Sequence, residues 1–172
     1  ALATFGLESP NIQPVTHYAL GSRINDIMVD AHNNAWVATD TAGLCLVSCL
    51  RYAIKRIDIG SPGAVFSIKP QAPGRLDVGG EELYSSLMLS EGGQVQQAHQ
   101  PAMPATTVWD SLQTAQGHWL ATHAGLFFAV ANGVHQRVHA VDPVLGAPAR
   151  VLIERDGDLW IGTLRGLSRL RE

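Results

Sequence analysis

The sequence is poor in the features that mark several common protein classes. Lysine and arginine number only 12 against 15 acidic residues, giving a formal charge of −3, and they are scattered. That excludes a basic stripe for nucleic acid and a polybasic membrane patch. No apolar run approaches the ~18 residues of a membrane-spanning helix, so membrane attachment is expected only through parts absent from this chain. The chain has neither an initiating methionine nor a signal-peptide pattern, which points to a mature or excised piece.

Cysteine is equally scarce, with Cys45 and Cys49 as the one C-x-x-x-C pair. Lacking a second pair, it makes a poor zinc site. On a straight strand, residues four apart lie ~13 Å from each other, beyond disulfide reach. A bridge would need the chain to turn at Val47 and Ser48; two buried thiols are the simpler reading.

What the chain does have is 46% apolar residues with only 16% charged, enough for a folded domain. Its 17 glycines and 9 prolines imply many tight turns between short strands. Self-similarity is the strongest signal. INDIMVDAHNNAWVATDTAGLCLV from Ile24, TVWDSLQTAQGHWLATHAGLFFAV from Thr107 and ARVLIERDGDLWIGTLRGLSRL from Ala149 align with one another. A decayed copy, AVFSIKPQAPGRLDVGGEELYSSLML, starts at Ala64, and LATFGL near the start resembles the back half of another. With Leu76 in the decayed unit's tryptophan position, the markers Trp36, Leu76, Trp119 and Trp160 are 40, 43 and 41 residues apart.

A period near 40 residues with apolar spacing of two predicts all-β architecture, as β-propeller blades of four antiparallel strands. About four repeats are expected: a partial blade at 1–20, blades at 23–58, 64–98 and 107–139, and a partial blade at 149–172. The partial units imply a fragment of a larger propeller, a small ring, or one shared between chains. Open blade edges would favour self-association. Within each unit the large Trp36, Trp119 and Trp160 supply flat contacts between blades. Thr39, Thr122 and Thr163 end the second strand with a hydroxyl able to bond into the next turn, where Gly43, Gly125 and Gly166 supply positive φ or close approach.

The repeat, above all VLIERDGDLWIGTLRGL from Val151, resembles the two-component regulator propeller family. That resemblance implies a periplasmic sensor region of a bacterial membrane receptor, coupled to a histidine kinase or diguanylate cyclase domain. It also implies a small-molecule or oligosaccharide ligand.

No catalytic cluster, cofactor motif or metal-ligand pattern emerges. The seven histidines fall at unrelated repeat positions; His135 and His139 share a face of the expected strand 134–139, which reads as a solvated edge. Asp156-Gly157-Asp158 reads as a turn in preference to part of a calcium loop. Candidate ligand contacts lie on the loops that rim a propeller's channel. They are Asp40, Thr41, His123 and Arg165 in turns, with Arg23, Asn25, Trp109, Asp110 and Arg150 near inner-strand starts. Taken singly, each is more simply a solvated turn residue. Trp109 stands out because the positions read as its equivalents, Asp26, Ser67 and Leu152, are not aromatic. A ligand-recognition sensor is therefore the first functional expectation, a protein-binding scaffold the second, and a propeller hydrolase or lyase the last.

Overall fold

The computed structural model describes residues 19–48, 53–60, 63–90, 94–101, 103–130, 133–138 and 143–171. Among them, fifteen strands form four antiparallel sheets, each built from strands consecutive in sequence. The first sheet contains β1 (Ile24–Val29), β2 (Ala35–Thr39), β3 (Leu44–Ser48) and β4 (Ala53–Ile57). The second contains β5 (Val65–Ala72), β6 (Arg75–Gly80), β7 (Leu83–Leu89) and β8 (Val95–His99). The third contains β9 (Val108–Gln113), β10 (His118–Thr122), β11 (Gly125–Ala129) and the short β12 (Gln136–Arg137). The fourth has β13 (Ala149–Arg155), β14 (Asp158–Thr163) and β15 (Gly166–Arg171). The partial blade expected at 1–20 falls almost wholly outside the described residues.

Short alternating segments become strands because glycine and Asx turns stop all but the two-residue β12 after five to eight residues. The Thr-to-Gly turn recurs with the same bonds. The hydroxyls of Thr39, Thr122 and Thr163 donate to the carbonyls of Gly43, Gly125 and Gly166 at 2.8, 2.7 and 3.0 Å. Each hydroxyl also accepts a backbone N–H from inside its turn. The three glycines have φ of 68°, 108° and 138°, a region that a side chain would strain. Asp156 and Gly157 also have positive φ, the mark of a tight hairpin turn. Asp158 beyond it is committed to Arg169 and Arg171, and the Arg169 bond is the main cause holding its carboxyl below the usual range.

Neighbouring sheets stack face to face, closest along their first strands. The seam between the first two buries Trp36, Leu44, Val65, Ile68, Leu76 and Leu87, among others. The seam between the last two buries Leu126, Leu145, Leu152, Leu159 and Ile161. The middle seam is smaller, with Tyr84, Val108, Leu120 and Phe127. At the two ends of the stack, Ile27 and Val29 on β1 and Val151 and Ile153 on β13 are about half exposed, because no described sheet covers them. Cys45 is a free thiol on the straight strand β3, so the turn a bridge requires is not made within Leu44–Ser48; burial pushes the thiol up. Cys49 lies outside the described residues.

The hydrogen-bond register corrects the sequence alignment of the second unit. Trp36, Trp119 and Trp160 pair with Met28, Leu112 and Ile153, and the residue in that place in the second sheet is Asp77, paired with Lys69. Leu76, chosen for its apolar character, is one residue off. By the same register Gly80 stands for the threonine, and Tyr84 for Leu44, Leu126 and Leu167.

Candidate functional site

Each first strand carries a β-bulge at the same place. The pairing jumps from Ile24 to Asp26, Val65 to Ser67, Val108 to Asp110 and Ala149 to Val151, leaving Asn25, Phe66, Trp109 and Arg150 as the extra residues. A bulge re-aims the side chain of its extra residue out of the sheet's regular alternation. Three of the four side chains touch from sheet to sheet. The rings of Phe66 and Trp109 lie 4.4 Å apart between centroids, and the Arg150 guanidinium sits 3.6 Å over the Trp109 ring. Asn25 extends the row, donating its amide to the Val65 carbonyl at 2.7 Å and to Asp40 at 2.8 Å. All four are partly exposed, while Trp109 Nε1 and Arg150 Nε are buried without an acceptor. An aromatic platform is thus capped by a cation, with unspent donors along its edge.

The register also corrects the comparison of Trp109 with Asp26, Ser67 and Leu152. Its equivalents are Asn25, Phe66 and Arg150, and Phe66 is aromatic. Sequence reasoning missed Phe66 because the bulge displaces it by one position from the regular alternation.

Asp110 is not a rim residue. It is buried, and its carboxylate accepts the N–H of Leu152 in the next sheet at 3.0 Å and that of Ser111 at 2.9 Å. Lys69 of the preceding sheet lies 3.1 Å away. Asp26 makes the same clasp to Ile68 N in the second sheet at 2.9 Å. Both are therefore staples between sheets. Asp40 is partly buried; the Asn25 bond, against some burial, and then Arg23 at 2.8 Å hold its carboxyl below the usual range. Thr41 bonds to Ser22 at 2.9 Å, while His123 and Arg165 are exposed and tied down through their backbone N–H groups. These turn residues bond within their own sheets, so of the predicted set the row joins Asn25, Trp109 and Arg150.

The structure overturns the reading of the histidines. His135 precedes β12 instead of lying on a strand with His139, which falls outside the described residues. His118 and His135 are both buried and bonded, Nδ1 to Nε2, at 2.9 Å. His118 Nε2 reaches Asp77 Oδ2 at 3.0 Å, and the Tyr84 hydroxyl donates to the same oxygen at 2.6 Å. Burial, and next the charge of His118, push His135 down to about 4, whereas burial and then Asp77 hold the Tyr84 phenol well above its usual range. A histidine harder to protonate when folded makes the unfolded chain the better proton acceptor below pH 6.5. Stability from this group is therefore lost as pH falls from 6.5 towards 4. In His135→Phe, the drop in Tm between pH 7 and 5 should be shallower than in the parent. An equal slope in thermal unfolding would refute that assignment.

Among the described residues no group of three or more His, Cys, Asp or Glu is placed to hold a metal ion.

No protein-family model and no curated protein matches the sequence. Solved structures do match. One is the extracellular domain of a B. thetaiotaomicron protein described as a hybrid two-component system, at 18% identity and TM-score 0.66 over 86% of this chain and 20% of that one. Virginiamycin B lyase from Staphylococcus aureus matches at 8% identity and TM-score 0.61, over 89% of this chain and 57% of that one. The β-propeller domain of Cps50 from Myceliophteria thermophila matches at 11% and 0.62, over 87% and 53%. The chain thus spans about a fifth of the first and little more than half of the other two. At these identities the likeness establishes the architecture: the four sheets are blades of a β-propeller.

Proposed function

We propose that this chain is a ligand-recognition part of an extracytoplasmic, periplasmic signalling receptor, and that the bulged row Asn25, Phe66, Trp109 and Arg150 is its contact surface. The observation that carries this reading is the repetition of the bulge in all four sheets. Repeated geometry brings four different side chains to one edge of the stack, where chemistry can vary without disturbing the blades. An aromatic face beside guanidinium donors suits the apolar face and hydroxyl rim of a sugar ring, so a neutral oligosaccharide is the proposed ligand class. The similarity to an extracellular domain of a signalling protein supports the location. A histidine kinase or diguanylate cyclase output would reside elsewhere in the receptor.

A thermal-shift screen of neutral trisaccharides tests this. At least one should raise Tm by about 2 °C or more at saturating concentration, through mass action on the folded state. Trp109→Ala should abolish that rise. If no sugar stabilises the parent chain, or Trp109→Ala responds equally, the row is not the contact surface.

A further inference from the structure

We propose that the seam between the second and third sheets holds a second binding site, built for a carboxylate on a small organic molecule. The repeat supplies the internal control. At the position of Asp77 the other three sheets have tryptophan, and at that of Tyr84 they have leucine. His118 precedes Trp119, where the other sheets have Ala35, Leu76 and Leu159. Three positions that are apolar in every other blade have thus become polar, and all three side chains meet. Had these substitutions been simple decay of the repeat, nothing would bring them to one place.

The cluster opens on a cavity of about 280 Å³ whose walls include Arg75, Tyr84, His99, Gln113, His118 and His135. Pro101, Ala129 and Val130 add an apolar side. The volume falls just below the range of drug-sized ligand sites, which starts at roughly 300 Å³, and suits a smaller molecule. His135 is 7% exposed, and its Nδ1 has no hydrogen-bond partner. An orphaned buried nitrogen on a residue that lines a cavity costs free energy unless something meets it.

Proton accounting identifies what that something is. The Asp77 carboxylate takes the His118 Nε2 proton, so one further proton lies between His118 Nδ1 and His135 Nε2. With the pair neutral, His135 Nδ1 is a bare lone pair. One proton added from solvent puts a single positive charge on the bonded pair and turns His135 Nδ1 into a donor. A carboxylate in the cavity matches this second state. Around it stand Arg75, whose Nε bonds Ser86 at 2.8 Å and lies 4.0 Å from Asp77 Oδ1, with the rest of its guanidinium toward the cavity lining, and the exposed His99. The one carboxylate facing the histidines, Asp77, lies behind His118 and outside the cavity lining, and Tyr84 stays a neutral donor to it. Binding is therefore linked to uptake of one proton and strengthens as pH falls, by up to roughly tenfold per pH unit.

This site is independent of the bulged row, and the test separates the two. Propionate and its neutral isostere propionamide are titrated into the whole chain while the imidazole nitrogen resonances are followed by NMR. Propionate should shift His135 saturably, more tightly at pH 6 than at pH 8, and propionamide should not. Arg75→Gln, with its fold checked by an unchanged far-UV spectrum, should weaken propionate at least about fivefold, and His135→Gln should remove the effect. Trp109→Ala should leave it unchanged. The absence of a saturable shift at either pH would overturn the proposal, as would equal affinity for propionamide, pH-independent binding, or an unaltered response in Arg75→Gln.

Discussion

Asp110→Ala should cost about 3 kcal/mol of stability, read as a fall in Tm of roughly 10 °C. The carboxylate is 4% exposed and joins three sheets: it accepts from Leu152 in the fourth and Ser111 in its own, and pairs with Lys69 of the second. Alanine leaves two N–H groups without partners, and they lie too deep for water to compensate fully. Asn at the same position keeps one acceptor oxygen and should recover part of the loss. Asp26→Ala removes the equivalent clasp to Ile68 from a more exposed position and should cost about 1 kcal/mol. Equal, small losses in both variants would show that the staples are incidental.

Trp36→Ala should be the most damaging of the tryptophan replacements, at about 3–5 kcal/mol, and Trp160→Ala the least, near 1 kcal/mol. The two occupy the same repeat position. Trp36 is wholly buried between the first two sheets, and its Nε1 donates to Asp30 at 3.0 Å. Burial would raise the Asp30 carboxyl, but the Asn34 N–H, Trp36 and other donors outweigh it and leave it lowered. Trp160 is partly exposed, on the last described sheet, with the Arg169 guanidinium 5.2 Å from its ring centroid. Denaturant unfolding of both variants measures the difference directly. Similar losses would mean that Trp160 is packed against something as extensive as a blade.

The strands were legible because their signals are local. The Thr-to-Gly turn, the apolar spacing of two and the Asx hairpins each act over a few residues, and each recurs. The outer strand at 134–139 shrank to Gln136–Arg137 because outer strands lack a second neighbour and carry little pattern. The site was legible in part. Trp109, Arg150 and Asn25 could be singled out by their place near strand starts, but Phe66 needed the bulge register, which only the pairing reveals. The His118–His135 pair was invisible because the contact spans seventeen residues and two different elements. The register supplies what the sequence did not: it puts Asp77 in a tryptophan's place, a departure too costly for a core to hold unpaired.

The sheets are not joined alike. Asp26 and Asp110 fasten the first to the second and the third to the fourth by gripping backbone, which neither titrates nor changes rotamer. In the middle, the corresponding Ser67 hydroxyl grips nothing, and the apolar contact there is the smallest of the three. What crosses there is side chain to side chain, Lys69 to Asp110 and His118 to Asp77. Replacing Lys69 or His118 therefore loosens this boundary without touching the backbone bonds that hold the other two.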